Sequence, residues 1–170
     1  MRDREQRIDE MLARHEIHQV ILSLARATDR RDPEAIRSCY HPDAVDDHGA
    51  FRGSPAEFAD WVPRTLALFA ATQHLVGSPR IVLEGARARS ETYCQAHHVF
   101  PSDDSGGERD AIMALRYVDR FERRDEGPWL IARRTCVWDF TSMVPLGEKW
   151  PLADGFLLGS PDRSDPSYSL

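Results

Sequence analysis

The order in which two kinds of periodicity follow one another constrains the fold of this chain more than any other feature. Apolar residues recur at the three-to-four spacing of a helix over residues 5–30 and again over residues 54–71. Four later segments, rich in β-branched and aromatic residues, instead alternate with a period of two: 72–84, 87–100, 110–124 and 129–141. Helices followed by strands predict an α+β fold, with the helices covering one face of a curved, mostly antiparallel sheet.

Local signals mark where the predicted helices and turns begin. The Asp-Pro pair at residues 32–33 is an N-cap with proline at the first helical position, and it predicts a short second helix. A His-Pro-Asp break at residues 41–43 is expected to end that helix. Residues 44–52 are expected to form a hairpin that turns near Gly49. The S-x-x-E pattern of residues 54–57 is a capping box and opens the third helix.

The length of 170 residues suits a single domain, which we assign to residues 1–141. Residues 142–170 contain four prolines among several glycines and serines, and this composition predicts an irregular tail. Apolar residues such as Trp150 and Phe156 indicate that part of the tail packs on the domain or on a neighbouring subunit. The last ten residues are expected to fray.

The charge and hydropathy of the chain argue against two classes of partner. The net charge is −6 and the arginines occur in scattered pairs, whereas nucleic-acid binders usually show a basic face. No apolar run approaches the ~18 residues of a membrane span. The charged N-terminus lacks the apolar core of a signal peptide. We therefore expect a cytoplasmic protein that binds neither nucleic acid nor a membrane.

The motifs that identify common cofactor sites are missing from the sequence. The three cysteines are far apart and form no C-x-x-C pair, which excludes a zinc ribbon and predicts buried, reduced thiols. Glycine-rich phosphate loops, the G-x-S-x-G elbow and the H-E-x-x-H motif are absent too. Asp46, Asp47 and His48 are adjacent and are expected to point in different directions. The sequence therefore predicts neither a metal nor a cofactor.

Asp29 and His74 are polar residues placed among apolar neighbours. Asp29 lies near the end of the first helix, on or beside its apolar stripe, where a carboxylate must be paired or lose its charge. His74 opens the first long strand, and a neutral imidazole suits proton transfer near pH 7. The alternatives are a carboxylate that meets solvent or pairs with Arg30 or Arg134, and a histidine without a catalytic role.

Strand alternation decides which of two consecutive histidines can face a pocket. His97 and His98 must point to opposite faces, and His98 shares its face with small residues that leave room for a ligand. We therefore predict that His98 faces inward, with an ordinary hydrogen-bonded strand histidine as the alternative. A metal site built from Asp29, His74 and His98 is conceivable on the same grounds.

The same alternation applies to a pair of arginines on the last predicted strand. Arg134 shares a face with Cys136 and Trp138, whereas Arg133 shares the opposite face with Val137. An inward arginine in an apolar cavity needs an anionic partner, either from the protein or from a substrate. The alternative is a solvated pair on the protein surface.

Six short motifs follow one another along the chain. They are residues 27–33 (ATDRRDP), 40–44 (YHPDA), 51–53 (FRG), 72–74 (TQH), 116–117 (RY) and 128–134 (PWLIARR). In order and spacing, across roughly residues 10–141, they resemble the SnoaL-like family of the NTF2-like (cystatin-like) superfamily. The resemblance implies a cone in which the helices pack on a strongly curved sheet that encloses a pocket. It is more specific for fold than for function, because this fold hosts many activities.

Within this superfamily the chain is similar to scytalone dehydratases and hexachlorocyclohexane dehydrochlorinases, in which a histidine oriented by an aspartate removes a proton from carbon. The similarity implies that Asp29 and His74 form this dyad, that Arg134 is a cavity arginine and that His98 is a second cavity histidine. A buried carboxylate would fix the imidazole tautomer and stabilise the imidazolium that forms.

The chain departs from both enzyme types in the turn that precedes Asp29. Leu24 stands where the dehydrochlorinases have a lysine, so the expulsion of halide is not implied. Thr28 stands where scytalone dehydratases have a tyrosine, so their particular reaction is not implied either. Tyr40 is the remaining candidate for a phenol in the pocket.

These residues lead to the hypothesis of a cofactor-free lyase or isomerase that acts on a small, apolar, oxygenated molecule. His74 is the expected general base or acid and Asp29 its orienting carboxylate. Arg134, His98 or Tyr40 would act on the electrophilic and leaving-group side. The residues expected to bind the substrate are Tyr40, Cys94, Ala96 and Trp138.

Two other functions and an oligomeric state accompany this hypothesis. A non-catalytic ligand-binding or scaffold module would use the same cavity without chemistry, and a structural subunit like the β subunit of aromatic-ring dioxygenases would need an iron-carrying partner. The outer face of the sheet carries large groups such as Tyr93, and the resemblance implies a homo-oligomer, either a trimer or a dimer.

Overall fold

The computed structural model describes residues 3–103 and 106–169, and three α-helices of this part of the chain precede most of the sheet. They are α1 (Arg4–Asp29), α2 (Pro33–Ser38) and α3 (Pro55–Leu66). Asp32 caps α2 by accepting the Ala35 N–H at 3.1 Å, and Ser54 and Glu57 form the predicted capping box of α3. The sequence therefore locates the starts of these helices correctly.

The end of α3 differs from its prediction. Phe58, Val62 and Leu66 are buried on one face, but the helix ends at Leu66 instead of continuing to Ala71. Ala71 already pairs with Val99 in the sheet, so the chain must turn in the residues between. The apolar pattern continues past the helix because the turn also packs against the protein interior.

Seven strands of the described residues form one mixed sheet. They are β1 (Tyr40–Asp47), β2 (Arg52–Gly53), β3 (Ala71–Val76), β4 (Arg80–Glu84), β5 (Arg87–Phe100), β6 (Arg109–Arg123) and β7 (Trp129–Pro145). Their order is β2-β1-β7-β6-β5-β3, and β4 also pairs with β5. β1 runs parallel to β7, and the other pairs are antiparallel. The predicted α+β fold with a mostly antiparallel sheet is confirmed.

Two prolines explain where the strands depart from their predicted bounds. The segment predicted as one strand over 72–84 forms β3 and β4, separated by residues 77–79, where Pro79 has no N–H for the ladder. β1 begins at Tyr40, so the His-Pro-Asp segment that was expected to be a break belongs to a strand. Pro42 is tolerated there because the pairing of β1 with β7 is irregular between Tyr40 and Val45.

The helices and the inner face of the sheet enclose a packed core and, beside it, a cavity. Ile17 and Ile21 of α1 pack with Phe121 and Ile131 of the sheet in a fully buried core. Farther along the same face, a smaller cluster around Leu115 borders a cavity. No helix among residues 3–103 and 106–169 is long and apolar enough to cross a membrane.

The tail contains more order than its composition predicts. β7 continues to Pro145, which pairs with Arg109, so residues 142–145 belong to the sheet. After a stretch without helix or strand, a single 3-10 turn forms at Pro166–Tyr168. Tyr168 donates a hydrogen bond to Asp32 at 3.0 Å, so the described part of the last ten residues packs on the domain instead of fraying. The middle of the tail is exposed, with Trp150 among its most exposed side chains.

Candidate functional site

A cavity of about 210 Å³ lies between α3 and the inner face of the sheet. Its wall is mostly aromatic and aliphatic, and its aromatic members are Phe58, Trp61, Phe69, Tyr117 and Trp138. Three histidines interrupt this apolar wall: His48, His74 and His98. A largely apolar cavity with a few convergent polar groups is typical of a small-molecule site.

Asp29 and His74 form a hydrogen-bonded pair at the edge of the cavity. Asp29 is the last residue of α1, and its Oδ1 lies 2.7 Å from His74 Nδ1. The backbone N–H of His74 donates to Asp29 Oδ2 at 2.9 Å, and Thr72 Oγ1 donates to Oδ1 at 3.0 Å. Because the carboxylate accepts from Nδ1–H, the other ring nitrogen of His74, Nε2, is the one left as an acceptor.

The environment of Asp29 keeps its carboxylate ionised. Burial alone would raise its pKa, but the hydrogen bonds from His74 and Thr72 and the electrostatic interaction with His74 outweigh burial, and the pKa lies below its ordinary value. Arg30 and Arg134, the alternative partners, pair with Asp165 and Asp119 instead. The carboxylate at the end of the apolar stripe is therefore paired with the histidine that the sequence indicated.

His98 faces the cavity and His97 does not. The ring of His98 packs edge-on against Phe69 and His74, with ring centroids 4.8 and 5.4 Å away. Burial and the electrostatic interaction with His74 lower the pKa of His98 to about 4, so this imidazole is neutral at pH 7. His97 Nδ1 lies 2.6 Å from Asp110 Oδ2, away from the cavity. The alternation of side chains along the strand therefore predicts correctly which of the two histidines faces the cavity.

Because His98 is neutral in the folded protein, we expect the protein to lose stability as the pH falls. Its pKa is about 4 in the folded protein and ~6.5 when exposed, so between these values the unfolded chain binds a proton that the folded chain does not. The free energy of unfolding is therefore expected to lose about 2–3 kcal/mol through His98 as the pH falls from ~7.5 to ~4.5. Urea unfolding at both pH values should show a smaller loss in His98→Asn than in the wild type.

The control for this experiment is His97→Asn, which changes a histidine on the outer face of the same strand. Its loss of stability between the two pH values should remain larger than that of His98→Asn, because His98 is still present. A His98→Asn protein that loses as much stability on acidification as the wild type would contradict the buried neutral state.

Arg134 lies in the protein core beneath the cavity, which corrects its predicted place on the cavity wall. Its Nε and Nη2 donate to the two carboxylate oxygens of Asp119, both at 2.8 Å, and both side chains are almost fully buried. Its guanidinium also lies 4.0 Å from the centroid of the Tyr117 ring, which does line the cavity. The anionic partner that a buried arginine needs is thus Asp119 of the protein itself. Arg134 does not border the space for a substrate.

The four predicted substrate-binding residues divide equally between the cavity wall and the layer behind it. Ala96 and Trp138 line the cavity. Tyr40 is buried behind the wall, where burial and Asp46 raise the pKa of its phenol and its Oη donates to that carboxylate at 2.5 Å. Cys94 is buried beside Tyr117 and does not border the cavity. Side-chain direction alone did not separate these two layers.

His48 is the cavity histidine that the sequence reasoning missed. Its Nδ1 is hydrogen-bonded to Asp46 Oδ1, and its ring stacks on Phe58 with centroids 4.6 Å apart. Asp46 and His48 are two residues apart at the end of β1, so the period-two rule could have placed them on one side of the chain. Asp46, Asp47 and His48 were expected to point in different directions. This is true of Asp47, which accepts from Gly49 N–H in the turn, but not of Asp46 and His48.

The cavity histidines do not form a metal site in the part of the chain that the structure describes. That part contains no group of three or more His, Cys, Asp or Glu side chains placed to hold a metal ion. His48 and His74 each have their own carboxylate partner, and His98 Nδ1 is buried without a hydrogen-bond partner among the described residues. The arrangement suits proton transfer between imidazoles and a bound organic molecule.

Comparisons with known proteins agree with this geometry at the level of the fold. A family model described as a SnoaL-like domain matches residues 9–135. An uncharacterized protein of Mycobacterium tuberculosis, Rv2910c, is 28% identical over 142 residues, which cover 81% of this chain and 92% of that protein.

Solved structures with the same fold include proteins that are described as enzymes. A hexachlorocyclohexane dehydrochlorinase, LinA type 2, superposes with a TM-score of 0.71 at 16% identity, covering 88% of this chain and 99% of that one. A scytalone dehydratase-like protein from Novosphingobium aromaticivorans gives a TM-score of 0.67 at 18% identity, covering 86% and 99%. At these identities the likeness shows a shared fold.

Proposed function

The chain belongs to the family of SnoaL-like domains, and we propose that it is a cofactor-free lyase or isomerase that acts on a small, largely apolar, oxygenated molecule. The observation that carries this proposal is the 2.7 Å contact between Asp29 Oδ1 and His74 Nδ1 at the wall of an open, apolar cavity. The described dehydrochlorinase and dehydratase-like relatives support an enzyme of this general type.

His74 is the general base in this proposal. Asp29 fixes the tautomer that leaves Nε2 free to take a proton from a carbon next to a carbonyl group, and it stabilises the imidazolium that forms. The electron pair of the C–H bond moves toward the carbonyl and gives an enolate. The enolate then either expels a group from the neighbouring carbon, as in a lyase, or, where a C=C bond is conjugated with it, takes the proton back at the far carbon of that bond, as in an isomerase.

His98 is the group best placed to polarise the carbonyl. It lies beside His74 in the cavity wall, and its low pKa of about 4 keeps it neutral, so its one N–H can donate to a carbonyl oxygen without transferring a proton. Arg134, which lies behind the wall and is held by Asp119, has no role in this mechanism.

The proposal is tested with 4-phenylbutan-2-one in D2O and with 4-hydroxy-4-phenylbutan-2-one in ordinary buffer. We expect the wild type to accelerate deuterium uptake next to the carbonyl of the first compound and elimination of water from the second. His74→Gln should lower both rates by about 10²–10⁴-fold, because glutamine cannot act as a base. NMR and the absorbance of the conjugated product measure the two reactions.

Two results would count against this function. Equal rates in the wild type and in His74→Gln would remove the base from the mechanism. Binding of these ketones without exchange or elimination would favour a ligand-binding module, in which the cavity holds a molecule without changing it.

The prediction of a homo-oligomer, either a trimer or a dimer, remains part of the proposal. Leu75 and Tyr93 are each about two-thirds exposed on the face of the sheet that points away from the cavity. Val118 lies on the same face and is also exposed. An apolar outer face of this kind supports association between copies of the chain.

A further inference from the structure

The cavity holds a second carboxylate–imidazole pair, formed by Asp46 and His48. His48 lies in the turn that follows β1 and lines the cavity together with His74. Nothing in the proposed action of Asp29 and His74 uses this second pair. A buried pair of acid–base groups in a substrate-sized cavity is a candidate for a separate chemical role.

The structure holds the imidazole of His48 in one orientation. Asp46 is fully buried, and its two oxygens accept from Tyr40 Oη at 2.5 Å and from His48 Nδ1. Phe58 stacks on one face of the imidazole ring with an interplanar angle of 22°. Within residues 3–103 and 106–169, the side-chain hydrogen bond of His48 goes to Asp46 alone, so Nε2 is the nitrogen that can meet a bound molecule.

His48 and His74 reach the cavity from opposite ends of the sheet. β1, which leads into His48, is separated from β3, which carries His74, by β7, β6 and β5. Both side chains nevertheless line the same cavity, so a molecule bound there can meet two imidazoles that each have a carboxylate partner. A base and an acid that both reach the substrate are what an elimination with a poor leaving group requires.

We infer that His48 is the general acid for the departure of a hydroxyl group, and that the substrate class is therefore a β-hydroxy carbonyl compound. The inference rests on the proposed function, because it requires His74 as the base. His74 Nε2 takes the proton from the α-carbon and gives the enolate, whose electron pair then forms the C=C bond as the C–O bond breaks. The departing oxygen takes the proton from His48 Nε2 and leaves as water, and exchange with solvent returns the proton from His74 to His48.

The leaving group decides whether His48 is needed. Hydroxide is a poor leaving group, so the C–O bond breaks readily only when the oxygen is protonated as it departs, whereas chloride leaves as a stable anion without a proton. In this step His48 is the imidazolium, with Nδ1–H donating to the Asp46 carboxylate and Nε2–H to the departing oxygen. Dehydration therefore uses both pairs, and dehydrochlorination uses only the pair of Asp29 and His74.

The experiment compares 4-hydroxy-4-phenylbutan-2-one with 4-chloro-4-phenylbutan-2-one, after subtraction of the rate in buffer. In His48→Gln, kcat/KM for the hydroxy compound should fall about 10²–10³-fold, and that for the chloro compound less than about 5-fold. The ratio of the two constants is measured on one preparation, so it does not depend on how much of the variant is folded. Asp46→Asn should change the ratio in the same direction.

Two further variants separate the failure of this inference from the failure of the proposed function. His74→Gln should slow both compounds, and His97→Gln should slow neither, because the pair of His97 and Asp110 faces away from the cavity. In D2O, His48→Gln should return unreacted hydroxy ketone that carries deuterium at the α-carbon, since the proton is still removed while the departure of water is blocked.

The possible outcomes lead to different conclusions. If His48→Gln lowered kcat/KM equally for both compounds, or for neither, the role of His48 would be overturned and His74 would remain the base. In the reverse pattern, His74→Gln would lower kcat/KM only for the hydroxy compound, and His48→Gln would lower it for both compounds. That result would overturn the assignment of acid and base. If the wild type eliminated neither water nor chloride, the proposed function would fail and this inference with it.

Discussion

Replacing Asp29 with asparagine is expected to lower kcat for ketone elimination by about 10³–10⁴-fold, the largest effect on activity that we expect from a single isosteric change. The backbone N–H of His74 donates to Asp29 Oδ2 and cannot reverse its polarity, so the carbonyl oxygen of the introduced amide should take that place. The amide NH2 then faces His74 Nδ1 and forces the ring proton onto Nε2. His74 would then present a donor where the reaction needs a base.

Asp110→Asn is the matched control, because it makes the same change in a carboxylate–imidazole pair outside the cavity. It should leave kcat unchanged, whereas Thr72→Val, which removes one donor to Asp29, should reduce kcat about tenfold or less. Nitrogen NMR of the His74 ring reports the tautomer directly. Full activity in Asp29→Asn together with the altered tautomer would show that Nε2 is not the base.

Sequence periodicity predicted most elements of the fold, and the resemblance to known enzymes implied the pair of Asp29 and His74. The stripe of Ile17, Ile21 and Leu24 predicts a helix because only an amphipathic helix buries residues at that spacing. Asp29 is the polar residue at the end of that stripe, and a carboxylate in such a place needs a partner. Alternation then identified His98 as the inward member of its pair, because neighbouring side chains on a strand cannot share a face.

The same alternation could not place Arg134, because it predicts the face of a side chain and not its position along the strand. Arg134 and Trp138 both point inward from β7, and four residues of strand separate them by about 13 Å. That distance is enough to put Trp138 on the wall of the cavity and Arg134 in the core beneath it. The position of the cavity along the strand depends on how α3 covers the sheet, which no local pattern encodes.

His48 was missed because its role depends on a long-range pairing. Asp46 is fully buried because β1 pairs in parallel with β7, which places Asp46 opposite Arg134. A parallel partner almost ninety residues away leaves no periodic signal in the short segment around Asp46. The D-x-H spacing shows that the two side chains share one side of the strand, but only the tertiary structure shows that this side meets a cavity.

The buried pair of Arg134 and Asp119 carries the largest expected effect on stability. Arg134→Met is expected to lower the free energy of unfolding by about 3–5 kcal/mol, since it leaves the fully buried Asp119 carboxylate without its two charge-assisted hydrogen bonds. Burial would by itself lower the pKa of Arg134, but Asp119 more than offsets it, so the pKa is raised and the guanidinium stays charged. Urea unfolding at pH 7 measures the loss.

A second substitution tests whether the loss comes from the uncompensated charge or from the volume of the arginine. Arg134→Met with Asp119→Leu removes both charges, and it should recover at least half of the stability because no isolated carboxylate remains in the core. Arg37→Met is the matched control in an exposed pair with Asp60, and it should cost less than about 1 kcal/mol. A double variant that is no more stable than Arg134→Met would instead indicate that the guanidinium stabilises the core mainly through its packing on Tyr117, 4.0 Å away.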